Sequence, residues 1–332
     1  MSVLVTGASG FVGAAVVRRL IADGHDDVRV LVRPTSDRAA IKTLPVDIFL
    51  GDVTDRRSLR APLKKCRAVY HVAADYRLWT RDPASMFRTN VDGTRNMLLA
   101  AADAGADRIV YTSSVATLGL PRDGTEGDET TPVSYDDMIG PYKQSKFLAE
   151  EEARTLARDE SVPVVIVNPS LPVGPGDVRP TPTGRMVLQA ASGRMPAYVD
   201  TGLNVVHVDD VAEGHLLACR NGEIGARYVL GGQNMTLHHI LTAIAAIVGG
   251  RPPSFSIPHN AVLPVAYMAE AWTWLTGGTE PFVSVDGVKL AKKHMYFSWA
   301  KAAEHLGYAP RPAEIGLRNA IVWYRENGYL KS

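Results

Sequence analysis

The chain has 332 residues, 46% of them hydrophobic and 21% charged, a balance ordinary for a globular protein of one large or two smaller units with a sizeable core. Lys and Arg total 36 against 35 Asp and Glu, so no global charge recruits nucleic acid or a membrane surface. The two cysteines, Cys66 and Cys219, are too few for a disulfide framework, lack metal spacing and fit a reducing cytosol, and no uninterrupted apolar run of about 18 residues is present to span a bilayer.

The β-former run VLVT opens the chain as a strand, and GASGFVG carries it through three glycines into the helical pattern GFVGAAVVRRLIADG. No leader is expected ahead of that strand. VRVLV, DIFLGD and AVYHVAA read as the second, third and fourth strands. NVDGTRNMLLAAADAG is helical, RIVYTSS is a fifth strand, PYKQSKFLAEEEARTLARD is a long helix and VPVVIVNP a sixth strand. Apolar runs bounded by Gly and polar clusters suit buried parallel strands, and their alternation with helices predicts an α/β fold with a Rossmann-type, doubly wound parallel sheet.

The rhythm then breaks. LPVGPGDVRPTPTGR is dense in Pro and Gly and reads as a long shaped loop. NVVHVDDVAEGHLLAC and RYVLGG are expected to return to the nucleotide-binding domain, and from Met235 the pattern is mostly helical. The expected division is a nucleotide-binding domain of residues 1–169 and 203–232, and a smaller, mostly helical substrate lobe of residues 170–202 and 233–332. Such a lobe lies over the strand ends, where open α/β sheets bind ligands. HNAVLPVAYMAEAWTWLTGG, apolar with one charge, reads as a core helix or a dimer surface, with an interfacial patch for a lipid-like substrate as the lesser reading.

A strand, a glycine turn and a helix are the setting of a dinucleotide site. Gly7 allows the sharp turn, Gly10 lets backbone approach a pyrophosphate, and Gly13 lets the helix pack close to the sheet. The helix start at Phe11 and Val12 offers free N–H groups and a partial positive charge. Where the second strand ends, an NAD enzyme usually places Asp or Glu to accept from the ribose 2′-hydroxyl. This chain places Arg33 there, followed by Pro34, Thr35 and Ser36, with Ser9 facing it. A guanidinium and hydroxyls bind a 2′-phosphate, so NADP(H) is expected over NAD(H).

The spacing G-x-x-G-x-x-G resembles the short-chain dehydrogenase/reductase superfamily, and later segments extend the resemblance in order. It implies that Asp52 in GDVTD accepts from the adenine amino group with Val53 against the ring. It implies a small-residue stretch, Ala73 and Ala74, after the fourth strand, and serines in YTSS after the fifth. It implies a Tyr-x-x-x-Lys pair on the next helix, here Tyr142 and Lys146. Thr112 and Pro169, at the ends of the fifth and sixth strands, complete the implied cofactor set. On a helix Tyr142 and Lys146 share a face. The ammonium is expected to lower the tyrosine pKa and hold the nicotinamide ribose, Tyr142 to exchange a proton with the substrate oxygen, and Ser114 to hydrogen-bond that oxygen. An isolated Tyr and Lys on a surface helix mean little; the set in order means far more.

The length, NPSLPVGPGD and HVDDVAEGH resemble the extended branch of that superfamily. AADYRLWTRDP, VNPSLPVGPGDVRPTPTGR, MPAYVDTGLNVVHVDDVAEGHLLA and WYRENGYL are similar to the hopanoid-associated sugar epimerase family and, more distantly, to dihydroflavonol 4-reductases. The resemblance implies a cytoplasmic NAD(P)-dependent enzyme of hopanoid lipid synthesis. The sugar in the family's name has no counterpart in these residues. Asn168 stands where many extended members carry Arg, so that contact does not carry over. Tyr76 and Trp79, with Arg81 after them, and Arg185 in the Pro-rich loop are expected to clasp a small-molecule substrate, and Asn168 to touch it. The alternative for Tyr76 and Trp79 is packing between the lobes. Asn90 is expected either to order the helix before the active site or to cap it. His71 reads as a satisfied core histidine, His207 carries no chemistry, and no metal site is expected. In this superfamily the helices near 90–105 and 142–158 pair across a two-fold axis, which implies a homodimer.

Three functions compete. The leading one is net NADPH-dependent reduction of a ketone, or its reverse, because an epimerase that re-reduces its own intermediate gains nothing from NADPH. A nucleotide-sugar epimerase or dehydratase without net redox is the second. A non-catalytic NADP(H) sensor is the third, and it has no use for Ser114, Tyr142 and Lys146.

Overall fold

The computed structural model describes residues 2–330. Seven strands form one parallel sheet: β1 (Val3–Thr6), β2 (Val28–Val32), β3 (Asp47–Leu50), β4 (Ala68–His71), β5 (Arg108–Thr112), β6 (Val164–Pro169) and, after three short strands of the other lobe, β10 (Arg227–Leu230). Their order is β3-β2-β1-β4-β5-β6-β10. The direction of winding reverses between β1 and β4, whose register runs from Val3 against Ala68 to Thr6 against His71. A crevice opens beyond the carboxyl ends of the strands at such a reversal.

Side chains alternate across the pleat, so each strand feeds two cores. Val3 and Val5 join Val16, Val17 and Leu20 of helix Phe11–Ala22 on one face. Leu4 points the other way, into a core with Met97 and Leu98 of helix Gly93–Asp103 and Ala149 and Ala153 of helix Gly140–Asp159. On the first face, helix Phe11–Ala22 packs against helix Val208–Asn221. Each fully buried Val or Leu stabilises by about 1.5–3 kcal/mol relative to exposure, so both faces anchor the sheet. β3 is one of the two edge strands, and its Ile48 and Leu50 stay exposed.

The remaining strands belong to the second lobe: β7 (Leu171–Val173), β8 (Ala197–Tyr198), β9 (Gly202–His207), β11 (Gln233–Thr236), β12 (Phe255–Ser256) and β13 (His294–Met295). β9 is the hub: β7 and β13 pair parallel to it, β11 antiparallel. The sequence reading groups residues from 203 with the nucleotide-binding part. Helix Val208–Asn221 and β10 do join the large sheet, but β9 pairs within the small one. Its two faces explain the difference: Val206 packs into the core under β1, and Val205 into that of the second lobe, among Ile240, Leu317 and Ile321. The segment is the junction between lobes. Among the described residues, no helix is long and apolar enough to cross a membrane.

Candidate active site

The glycine turn lies at the carboxyl end of β1. Gly7 takes φ +70°, and a Cβ there would meet the Ala73 backbone nitrogen at 2.7 Å. A Cβ on Gly13 would come within 2.2 Å of the Gly7 carbonyl oxygen. The fold itself therefore requires both glycines. Gly10 is different: a Cβ on it would meet only the Gly7 oxygen, at 3.3 Å. Open space on Gly10, beside a helix start with no side-chain cap and no acidic residue in its first turn, fits a pyrophosphate group. Ser113 Oγ and Ser170 Oγ, just past the ends of β5 and β6, are buried without a hydrogen-bond partner, polar atoms a ligand can satisfy. The residues present fit a dinucleotide.

Around that turn, Ala73 and Ala74 follow β4, and the Ala73 N–H donates to Thr6 Oγ1 at 3.1 Å. Val53 is buried against Gly93. Asp52 Oδ1 accepts from the Thr54 backbone N–H and hydroxyl, at 2.9 and 2.8 Å. Arg33 is exposed just past the end of β2 and makes no ion pair among the described residues, while the nearby Asp37 is paired with Arg179 at 3.4 Å.

Helix Gly140–Asp159 carries Tyr142, Lys146 and Glu150, each one turn apart, and faces the end of β5. Lys146 is 2% exposed; its Nζ donates to the Thr112 carbonyl at 2.8 Å and to Tyr111 Oη at 3.0 Å. Burial pulls its pKa from 10.5 to about 7, with the Glu150 carboxylate opposing. Tyr142 departs from expectation. Its pKa is raised by burial, and only the Ser114 hydroxyl lowers it. The ammonium expected to stabilise a phenolate points its protons at Thr112 and Tyr111 instead. Ser114 Oγ accepts from the Ala116 N–H at 3.1 Å, which fixes its side chain at the head of a short 3₁₀ turn.

The surrounding residues hold this trio. His71 is wholly buried between Thr6 Oγ1 at 2.8 Å and Thr94 Oγ1 at 3.2 Å. Burial and the neighbouring Lys146 charge depress its pKa to about 3, so it is neutral and acts as packing. His207 Nδ1 accepts from the Asp209 N–H at 3.0 Å and so caps its helix. Thr112 Oγ1 donates to His215 Nε2 at 2.8 Å, because His215 Nδ1–H is committed to the Val211 carbonyl at 2.7 Å. Asn90 is not a cap: it lies in a π-helical turn, Arg88–Asp92, clasps the Asp75 N–H and carbonyl at 2.7 and 2.9 Å, and donates to Ser145 Oγ at 2.9 Å. It thereby ties the loop after β4 to the Tyr142 helix.

The expected substrate residues divide. Asn168 is fully buried, and its Nδ2 donates to the Ser114 carbonyl at 3.0 Å, Thr117 Oγ1 at 3.1 Å and Glu150 Oε2 at 2.7 Å. Its Nδ2 is thereby committed to positioning Ser114, while its Oδ1 is buried without a hydrogen-bond partner. Glu150, held also by Arg227 at 2.9 Å, escaped the sequence reading although it lies one turn beyond Lys146 on the same face. Tyr76 is exposed near Asp177 and Arg185, Trp79 is half-buried, and Arg185 pairs with Glu280 at 2.9 Å on a depression of about 540 Å³. That depression contains none of Ser114, Tyr142 and Lys146, so Arg185 sits apart from them. Arg81 donates to the Thr273 carbonyl at 2.5 Å and stacks on Trp274, linking the loop after β4 to the second lobe.

A parallel sheet wound about a glycine turn, with Tyr and Lys one turn apart beside a strand-end Ser, defines an NAD(P)-dependent oxidoreductase of the extended short-chain dehydrogenase/reductase type. The chain belongs to the NAD dependent epimerase/dehydratase family, whose family model matches residues 3–231. It is 42% identical to a putative dihydroflavonol 4-reductase of Synechocystis sp. over 99% of this chain and 96% of that one. It is 33% identical to sterol demethylase protein B of Methylococcus capsulatus, over 99% and 100%. The crystal structure of gox2253 shares 51% identity and superposes with a TM-score of 0.89 over 99% of each chain.

Proposed function

We propose that the protein reduces a ketone on an apolar substrate with NADPH, or oxidises the matching secondary alcohol, through Ser114, Tyr142 and Lys146. The carrying observation is the placement of Tyr142 beside the Ser114 hydroxyl and one helical turn from the buried Lys146. A bound reduced nicotinamide supplies the hydride. Tyr142 Oη delivers the proton to the carbonyl oxygen that Ser114 Oγ holds by a hydrogen bond, and the carbonyl becomes an alcohol. Lys146, one turn along the same helix, has its pKa lowered by burial to about 7 with Glu150 opposing. Arg33, uncommitted and with no carboxylate in its place, supports NADP(H). Relatives named for a sterol and for dihydroflavonol favour a fused-ring apolar substrate, as does the resemblance to a hopanoid-associated family. The test incubates the enzyme with NADPH and ring ketones, and separately with nucleotide sugars, following cofactor absorbance and product stereochemistry together. Cofactor oxidation with ketones supports the reading. An inverted sugar with no net cofactor change overturns it.

A further inference from the structure

We propose that helix His259–Thr276 and the adjoining Phe282 dock the protein on the surface of an anionic lipid bilayer. The segment reads from sequence as a core helix or dimer surface, yet only a narrow stripe of it is buried. Val262, Ala266 and Ala269 lie on the inner side, where the helix meets Val285 and Val288. The opposite side carries Pro264, Met268, Trp272 and Leu275 at spacings of a helical face, flanked by Tyr267 and Trp274. Trp272 is 69% exposed, Leu275 85% and Phe282 84%. Soluble surfaces rarely gather that much contiguous apolar area without an occupant.

Charge identifies the occupant. The one acidic residue of the helix, Glu270, turns inward and accepts the Val285 N–H at 2.7 Å, so the outer face is uncharged. The nearby acids are each paired: Glu280 with Arg185 at 2.9 Å and Asp286 with Lys289 at 4.0 Å. Cations stand at both ends. Lys292 Nζ reaches Asn260 Oδ1 at 3.1 Å at the start of the helix, beside exposed Lys293, and Arg81 lies 5.3 Å over the Trp274 ring at its end. An apolar face with Trp and Tyr at its flanks and a cationic rim complements acyl chains below anionic headgroups. A second copy is a poorer fit, since a two-fold contact through this face brings two cationic rims together.

The face also adjoins a second depression. Between Met268, Trp272 and Phe282 lies a depression of about 470 Å³, and its Glu280 reaches across to Arg185 of the neighbouring depression, near Tyr76. The inference stands on the surface alone and does not require the ketone reading.

The test is sedimentation of the full chain with vesicles of phosphatidylcholine alone and of phosphatidylcholine mixed with phosphatidylglycerol. We expect binding to the mixed vesicles that weakens with salt. The doubly substituted Trp272→Ser, Leu275→Ser protein, whose changes lie on exposed positions, should lose at least about tenfold of that affinity with an unchanged circular dichroism spectrum. Lys292→Glu should lose several-fold on mixed vesicles only. Failure of the unsubstituted protein to bind mixed vesicles overturns the proposal. So does undiminished binding by the double variant. Light scattering that shows the double variant monomeric where the parent is dimeric without lipid also overturns it, and assigns the face to a second copy.

Discussion

Replacing Lys146 with Met should separate what this residue does for the fold from what it does for the chemistry. In the folded chain its pKa falls from 10.5 to about 7. Between those values the unfolded chain holds a proton that the folded chain lacks, so stability rises with pH across the window and the full penalty applies below about pH 7. At about 1.4 kcal/mol per pKa unit, the buried ammonium costs on the order of 5 kcal/mol there. Lys146→Met removes that penalty. It also leaves the Thr112 carbonyl and Tyr111 Oη without a donor, at about 1–3 kcal/mol for each group left unsatisfied, and this second effect does not depend on the charge of Lys146. The decisive quantity is therefore how the stability difference between the two proteins changes with pH. The variant's advantage should shrink by roughly 4 kcal/mol from pH 7 to pH 10. Urea unfolding of both proteins, free of cofactor, at the two pH values measures it; other titrating groups cancel in the difference. Turnover should fall by at least about 100-fold in the same variant, as for loss of a group serving acid–base catalysis. A stability difference independent of pH would falsify the assignment of Lys146 as a destabilised buried cation.

Tyr142→Phe should lower turnover by about 10²–10⁴-fold while cofactor affinity stays nearly unchanged; a rate above about a tenth of the parent's removes Tyr142 from the proton-transfer role. Arg33→Asp should reverse the preference from NADP(H) toward NAD(H), and equal affinities for both cofactors in the parent would refute the role given to Arg33. Gly13→Ala should destabilise the fold through its 2.2 Å approach to the Gly7 oxygen, whereas Gly10→Ala should melt near the parent temperature yet bind cofactor weakly. Thermal melts and cofactor titrations of the two variants decide, and equal losses of stability would mean that Gly10 serves only the turn. The outer faces of helices Gly93–Asp103 and Gly140–Asp159 should pair two copies; a solution mass showing only monomer at micromolar concentration refutes that dimer.

The parallel sheet was legible because its strands are apolar runs closed by glycine or polar clusters, and because one motif, GASGFVG, fixes strand, turn and helix together. The order Ser114, Tyr142, Lys146 was legible for the same reason: helical spacing alone sets Tyr142 and Lys146 on one face. What the sequence hid was the commitment of polar groups across distant segments. Asn168 looked available to a substrate because a strand-end amide carries no mark of its partners; only the fold brings Ser114, Thr117 and Glu150 around it. For Asn90 the sequence leaves ordering the helix and capping it both open, because its connection to Asp75 and Ser145 spans 15 and 55 residues. The sequence groups β9 with the nucleotide-binding domain because both of its faces are apolar, and two cores claim it. Glu150 was the avoidable omission, since the spacing that selects Tyr142 and Lys146 selects it too.

The protonation of the site follows from a contest that no motif records. Tyrosine and lysine begin with nearly equal pKa values, and burial drives them apart: the phenol upward, the ammonium down to about 7. Both shifts favour the neutral forms. Glu150 is the counterweight. It is 2% exposed and hydrogen-bonded by Arg227, Asn168 and Thr117. Its carboxylate keeps Lys146 from falling further.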